Sequence, residues 1–286
     1  MDVSETVAAV IVTIAVFTLI SASVEDLRTR TVRDGHWAVL GGFGAILNLF
    51  AFIEGGIFFG LTVSILSMTI LYGILNGSER FGNARTVFIG TVIALTVVSY
   101  VLAPSDSFRY AALSVPIFSG MFVLMYYAGL LRGGADAKCM VSLAIAFPAY
   151  PIFYKYPLIK ITDGISSVIF SFPLAILFLA LLITLTVAVP LFLINLKRGN
   201  IGKNMFSGYV TDIAAAKNSH VWPMHDVLDG KLIKISPSED STDIFERLEQ
   251  QNEKNIWVTP MIPFMVPIAV SFAITAIFGN PIFLIL

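Results

Sequence analysis

Apolar residues along this chain gather into eight long segments, separated by short polar connections and by one longer polar segment near the C-terminus. Most of these segments approach the roughly 20 apolar residues that an α-helix needs to cross a bilayer. The pattern therefore predicts about eight transmembrane helices. They cover residues 6–23, 37–53, 56–75, 86–104, 109–131, 137–154, 164–195 and 259–286.

The composition agrees with this pattern. Hydrophobic residues make up 57% of the chain and charged residues 13%, with a mean hydropathy of +0.85, which excludes an ordinary soluble globular domain. We therefore expect an all-α polytopic protein of the cell membrane, with the lipid bilayer as its surroundings. No basic stripe suited to phosphate is present, so we expect no nucleic-acid partner. One cysteine, Cys139, and three histidines favour neither a metal site nor any other cofactor.

The longest polar segment divides the chain into three predicted parts. Residues 1–195 form a membrane domain, residues 196–258 a small insertion, and residues 259–286 a C-terminal transmembrane segment. Within the insertion, Gly230 predicts a turn before a short strand at 231–235. Asp243 begins a sequence similar to a capping box, which predicts a short helix through Gln251. The insertion is therefore expected to be a small α+β unit.

The positions of the basic residues predict the orientation in the membrane. The loops on one side carry most of them, whereas the other side carries only Arg109, Lys155 and Lys160. The positive-inside rule places the richer side in the cytoplasm and both termini outside. This orientation puts the insertion, Asp26 and Asp136 at the cytoplasmic face.

Asp26 and Asp136 are the candidate chemical groups because acids at the ends of membrane helices are functional suspects by default. Each also has a structural alternative. Asp136 can act as the N-cap of the sixth span, after the flexible Gly133 and Gly134. Asp26 can be an interfacial residue paired with a neighbouring arginine. If the two acids share one face, a water between them could be activated by the ionised carboxylate while the protonated one polarises a scissile carbonyl.

Three segments of the chain resemble one family. The Gly-Gly-Ala-Asp sequence at 133–136 matches the Gly-x-hydrophobic-Asp motif of the type IV prepilin peptidases, and Gly-Ala-Asp-Ala-Lys is similar to the archaeal preflagellin and prepilin peptidases. The sequence Asp-Leu-Arg-Thr-Arg-Thr-Val at 26–32 is similar to the family's first catalytic segment. The segment 259–267 resembles the closing span of the archaeal enzymes.

The resemblance implies an integral-membrane aspartic endopeptidase with Asp26 and Asp136 as its catalytic pair. Such enzymes remove the short basic leader of pilin-like or archaellin precursors, beside the hydrophobic segment of the precursor, at the cytoplasmic membrane face. The bacterial branch also N-methylates its product and carries a cysteine-rich insertion, so a single cysteine argues against that second activity here. Ala135 replaces the second glycine of the presenilin-type motif, which favours prepilin processing over general intramembrane proteolysis.

Four charged residues on the same predicted face are candidates for substrate binding. Glu25, Asp34 and Glu79 could attract a basic leader, and Lys138 could hold the substrate backbone or bias the ionisation of Asp136. Their alternative roles are solvated acids that balance nearby arginines and a lysine that extends to the interface.

Another class of protein also fits two acids beside a helix break. In a proton-coupled or cation-coupled carrier, Asp26 and Asp136 would bind a cation or relay protons. The position of both acids near one face and the lack of a visible inverted repeat argue against a carrier. A structural membrane subunit with interfacial acids is the third alternative.

Overall fold

The computed structural model describes residues 3–77, 84–131, 133–161, 165–228, 230–235, 242–251 and 254–284. These residues form helices and short strands, and the strands all lie between residues 209 and 260. The helices are α1 (Val3–Thr29), α2 (Gly35–Ala51), α3 (Ile57–Asn76), α4 (Arg85–Leu102), α5 (Asp106–Tyr127), α6 (Gly134–Ala146), α7 (Ile165–Ile169), α8 (Phe172–Leu185), α9 (Ala188–Arg198), α10 (Ile213–Lys217), α11 (Thr242–Gln250) and α12 (Met265–Phe278). The strands are β1 (Tyr209–Asp212), β2 (Val221–Pro223), β3 (His225–Leu228), β4 (Lys231–Lys234) and β5 (Asn255–Pro260).

Among the described residues, six helical segments are long and apolar enough to cross a membrane, which makes the chain a multi-pass membrane protein. The predicted count of eight is not confirmed. The second apolar segment forms α2, of 17 residues, and the sixth forms α6, of only 13. At about 1.5 Å per residue, α6 is about 20 Å long, which is shorter than the roughly 30 Å hydrocarbon core of a bilayer. The six candidates are Ser4–Thr29, Ile57–Asn76, Arg85–Leu102, Asp106–Tyr127, Phe172–Arg198 and Met265–Leu284.

Residues 1–180 and 264–286 form one compact unit. In this unit α2 packs against α1, α3 and α6, while α12 packs against α1 and α5 packs against α6. The apolar residues of α6 are almost completely buried, including Met140, Leu143 and Ile145. The short helix therefore lies inside the unit, where its neighbours can satisfy the backbone groups that a helix end leaves free.

Residues 181–263 form a second compact unit, which contains the small sheet insertion predicted before the last helix. Its antiparallel sheet has the order β1-β5-β2, and β3 pairs with β4 in a separate hairpin. As predicted, Gly230 precedes a strand, and a short helix, α11, ends at Gln250. Arg247 of α11 donates two hydrogen bonds to Asp226 of β3, and this pairing holds the pKa of Asp226 below its usual value.

Candidate active site

Asp26 lies in the last turn of α1 and is only 9% exposed. Its Oδ2 accepts a hydrogen bond of 3.2 Å from the main-chain N–H of Met265, at the start of α12. Ser23, one turn earlier in α1, donates to the carbonyl oxygen of Met265 at 3.1 Å. The predicted first span ends at residue 23, whereas α1 continues to Thr29. Asp26 is therefore held inside a helix and against the last helix of the same unit.

Arg30 also contacts Asp26, through the main chain. Arg30 donates from Nη1 to the main-chain carbonyl oxygen of Asp26 at 3.4 Å, and its main-chain N–H donates to the same oxygen at 3.0 Å. Arg30 therefore caps the C-terminal end of α1, and its backbone has a left-handed φ of 56°. The carboxylate of Asp26 hydrogen-bonds to the start of α12, and the charge of Arg30 also acts on it.

Asp136 lies in the first turn of α6 and is partly exposed. Gly133 occupies the N-cap position, so Asp136 is the third helical residue and is not the N-cap. Its carboxylate accepts a hydrogen bond from the main-chain N–H of Gly133. This backward contact is the one that an acid at the third helical position makes in a capping box.

The two glycines before Asp136 differ in their surroundings. A Cβ atom on Gly133 would lie 2.5 Å from Oδ2 of Asp136, so a larger residue there would displace the carboxylate. A Cβ atom on Gly134 would meet nothing closer than the Tyr126 hydroxyl oxygen, at 3.8 Å. Gly133 therefore has a specific steric reason to be glycine.

The fold brings Asp26 and Asp136 within electrostatic range of each other. The last turn of α1 carries one acid, and the first turn of α6 carries the other. The charge of each acid would therefore act on the other across this gap. Such an arrangement can take a proton from a water and return it to a leaving group.

Asp34 and Lys138 contact each other directly. The Nζ atom of Lys138 lies 2.7 Å from Oδ1 and 2.8 Å from Oδ2 of Asp34. Asp34 precedes α2, and Lys138 is in α6, two residues after Asp136. The pair therefore joins the segment that follows Asp26 to the helix that carries Asp136.

Glu25 is the centre of a second polar cluster at the end of α1. It accepts a 2.7 Å hydrogen bond from Nε of Arg33, and His36 lies 3.5 Å from its other carboxylate oxygen. His36 also contacts the hydroxyl group of Ser21 at 3.0 Å. Glu25 therefore balances a neighbouring arginine, which is one of the two roles expected for it. The fourth candidate, Glu79, lies outside the described residues.

The contact between Asp26 and Met265 is a feature of the site that the sequence did not predict. The two residues are 239 positions apart, so no local pattern connects them. A signal for the start of α12 is nevertheless present, because Pro263 and Pro267 flank this position and proline favours the first turn of a helix. The free N–H groups of such a turn are natural partners for a carboxylate.

The chain is similar to known archaeal proteins. Residues 203–280 match the family described as Archaeal Peptidase A24 C-terminus Type II. A preflagellin peptidase of Methanocaldococcus jannaschii is 26% identical over 272 residues, covering 92% of each chain. Preflagellin peptidases of Methanococcus voltae and Methanococcus maripaludis are 27% and 25% identical; these matches cover 74% and 92% of this chain and 94% and 93% of those proteins.

These matches confirm the resemblance stated from the sequence motifs. They extend beyond the two aspartate segments, since two of the three relatives align with most of both the membrane helices and the insertion. The chain is therefore similar to archaeal preflagellin peptidases over most of its length, and its residues 203–280 match the C-terminal part of the archaeal A24 peptidases.

Proposed function

We propose that this chain is an integral-membrane aspartic endopeptidase that removes the short basic leader from pilin-like precursors, archaellin precursors among them. The observation that supports the proposal is that Asp26, held against the start of α12, and Asp136, in the first turn of α6, belong to the same compact unit of a multi-pass membrane protein. The relatives support the substrate class, because three of them are preflagellin peptidases.

In the proposed reaction, one aspartate is ionised and the other is protonated. The ionised carboxylate takes a proton from a water, whose oxygen attacks the scissile carbonyl carbon while the protonated acid donates a hydrogen bond to the carbonyl oxygen. The tetrahedral intermediate then collapses as its C–N bond breaks and a proton passes to the leaving nitrogen. The products are a leader with a new carboxyl group and a mature chain with a new amino group.

The proposed site faces the cytoplasm, where a leader attached to a newly made precursor would be found. The basic loops support this orientation through the positive-inside rule. Glu25 would attract a leader rich in lysine and arginine, whose basic residues would compete with Arg33 for its carboxylate. The hydrophobic segment that follows the leader would remain in the bilayer, which places the scissile bond near the membrane surface.

The test of this function is cleavage of precursors by the purified protein and its Asp26→Asn and Asp136→Asn variants. Each carboxamide keeps the shape of the side chain but can neither take up nor release the required proton, so we expect cleavage to fall by at least about 1,000-fold. Mass spectrometry of the precursor's N-terminus measures the product. Asp106→Asn is the matched control, because Asp106 is an exposed aspartate in the first turn of α5.

Two results would contradict the proposal. Cleavage retained by either variant would remove that residue from the catalytic pair. Failure of the wild-type protein to cleave any leader-bearing precursor, together with ion flux in proteoliposomes that Asp136→Asn abolishes, would favour the carrier instead.

A further inference from the structure

The ion pair between Asp34 and Lys138 lies at one end of a long interface between α2 and α6. Farther along that interface, Nδ2 of Asn48 donates to the carbonyl oxygen of Ile145 at 2.7 Å. Gly44 approaches α6 so closely that a Cβ atom there would lie 2.6 Å from Cα of Ala146. These buried contacts fix the C-terminal part of α6 against α2, whereas the ion pair holds the N-terminal turn that carries Asp136.

The direction of Lys138 separates it from the acid two residues earlier. Residues i and i+2 of an α-helix are about 200° apart around the axis and do not face each other. Lys138 extends to Asp34 beside α2, while the carboxylate of Asp136 folds back over Gly133. An atom bound between the carboxylates of Asp26 and Asp136 would therefore not also contact Lys138.

The charges of Asp34 and Lys138 are already matched to each other. Both oxygens of Asp34 lie within 2.8 Å of Nζ, and the side chains are 51% and 25% exposed. A basic leader that bound Asp34 would have to displace Lys138 from both oxygens. The observed contact thus favours a role within the protein over the direct substrate contact expected from the sequence.

We propose that Asp34 and Lys138 are positioning residues, which hold the first turn of α6 so that Asp136 stays in reach of Asp26. This inference depends on the proposed function for its catalytic meaning, but the distance between the two aspartate positions can be tested without it. Displacement of a reacting group by about 1 Å can cost up to about 100-fold in rate, so even an exposed ion pair can matter when it sets such a distance.

The first experiment compares Lys138→Met, Asp34→Asn and the charge-swapped double variant, Asp34→Lys with Lys138→Asp. We expect each single variant to lower kcat roughly tenfold with little change in KM, and the swap to restore most of the loss. If Asp34 and Lys138 instead each bound the leader, the single substitutions would raise KM, and the charge swap would not return KM to its wild-type value. Neutralising Asp106, which pairs with Arg109 at the same 2.7 Å, is the control and should leave kcat unchanged.

The second experiment measures position without any catalysis. Asp26→Cys and Asp136→Cys are combined in a Cys139→Ala background, and a short bifunctional thiol reagent joins the two new thiols if they are close enough. We expect Lys138→Met to lower the yield of this crosslink severalfold, and the charge swap to restore it. Thermal unfolding of each variant in detergent reports separately whether the membrane unit remains folded.

Each outcome decides between positioning and another role. Unchanged kcat and unchanged crosslinking in both single variants would overturn the proposal, as would a loss of activity that the swap fails to restore while crosslinking stays constant. If a single variant unfolds, the charge-swapped double variant provides the test. A positioning pair requires that the double variant folds and gives the crosslink in wild-type yield, and failure of either would overturn the proposal. If the wild-type protein cleaves no precursor, the proposed function fails, and the crosslinking result alone supports or overturns the positioning pair.

Discussion

Asp26 and Asp136 share one feature at the scale of single residues: each faces the N-terminus of a helix. Asp26 accepts from the N–H of Met265, the first residue of α12, and Asp136 accepts from the N–H of Gly133, the N-cap of α6. A helix N-terminus carries partial positive charge, which stabilises a nearby anion. Two helix ends therefore offset part of the repulsion between two acids that the fold brings together.

The position of the Asp136 carboxylate over Gly133 predicts a difference between two neighbouring alanine substitutions. Gly133→Ala should lower kcat by about 10-fold to 100-fold, since the new methyl group would occupy the space beside Oδ2. Gly134→Ala should leave kcat nearly unchanged and can stabilise α6 by up to about 0.5–1 kcal/mol, because alanine is the better helix former. Steady-state cleavage and thermal unfolding measure the two effects. Equal losses of activity in both variants would show that the Gly-Gly pair acts as a flexible connection instead.

The sequence indicates candidate acids more readily than it indicates the residues that surround them. Asp26 and Asp136 could be selected locally, because acids at the ends of apolar segments are rare. The contact of Asp26 with Met265 spans 239 residues, and that of Lys138 with Asp34 spans 104. No local pattern encodes such pairs, so the contact between Lys138 and Asp34 could not be predicted from the sequence.

At the scale of elements, α6 is the helix whose length requires explanation. It ends at Ala146, and the carbonyl groups near its end bind side chains from two neighbouring helices. Asn48 of α2 donates to Ile145, and the hydroxyl group of Ser114 in α5 donates to the carbonyl oxygen of Pro148 at 2.6 Å. An unsatisfied carbonyl in an apolar environment is costly, so these two donors allow a short helix to end inside the unit.

Removing one of these donors should destabilise the membrane unit. Asn48→Leu keeps a similar volume but leaves the Ile145 carbonyl oxygen without its side-chain partner, at a cost of about 1–3 kcal/mol. Asn76→Leu is the matched control, because Asn76 is less buried than Asn48 and donates to the carbonyl oxygen of Tyr72 within its own helix. Thermal unfolding in detergent should show a lower Tm for Asn48→Leu only. Similar Tm values for the two variants would mean that the carbonyl finds another donor.

The same helix shows why hydropathy alone does not settle the number of spans. The apolar segment 137–154 is long enough to span, but α6 ends before Pro148, which lacks the N–H that a continuing helix needs. The segment 164–195 also divides, into α7, α8 and α9, and Pro173 and Pro190 lie in the first turns of the last two helices. A hydropathy average does not show where these prolines interrupt or begin a helix. The longer helices could be located from the sequence because each coincides with a long apolar segment.

At the scale of the whole molecule, orientation is the property that connects the chemistry to its substrate. Eight helices that crossed the membrane in alternating directions would place both termini on the same side. The short lengths of α2 and α6 do not show whether these two helices cross, so helix length alone does not give the orientation. The basic residues provide independent support for the orientation, because loops rich in lysine and arginine remain in the cytoplasm. The face that holds Asp26 and Asp136 should then be the face at which a leader is accessible.

Cysteine labelling tests this orientation in whole cells. In a Cys139→Ala background, Ser207→Cys should react with a membrane-impermeant maleimide only after the cells are opened, whereas Ser105→Cys should react in intact cells. Both serines are exposed, and Ser99→Cys is the unreactive control because Ser99 is fully buried. Labelling of Ser207→Cys from outside would reverse the orientation. The aspartates would then lie on the opposite side from newly made precursors, and leader removal at the cytoplasmic face would no longer account for them.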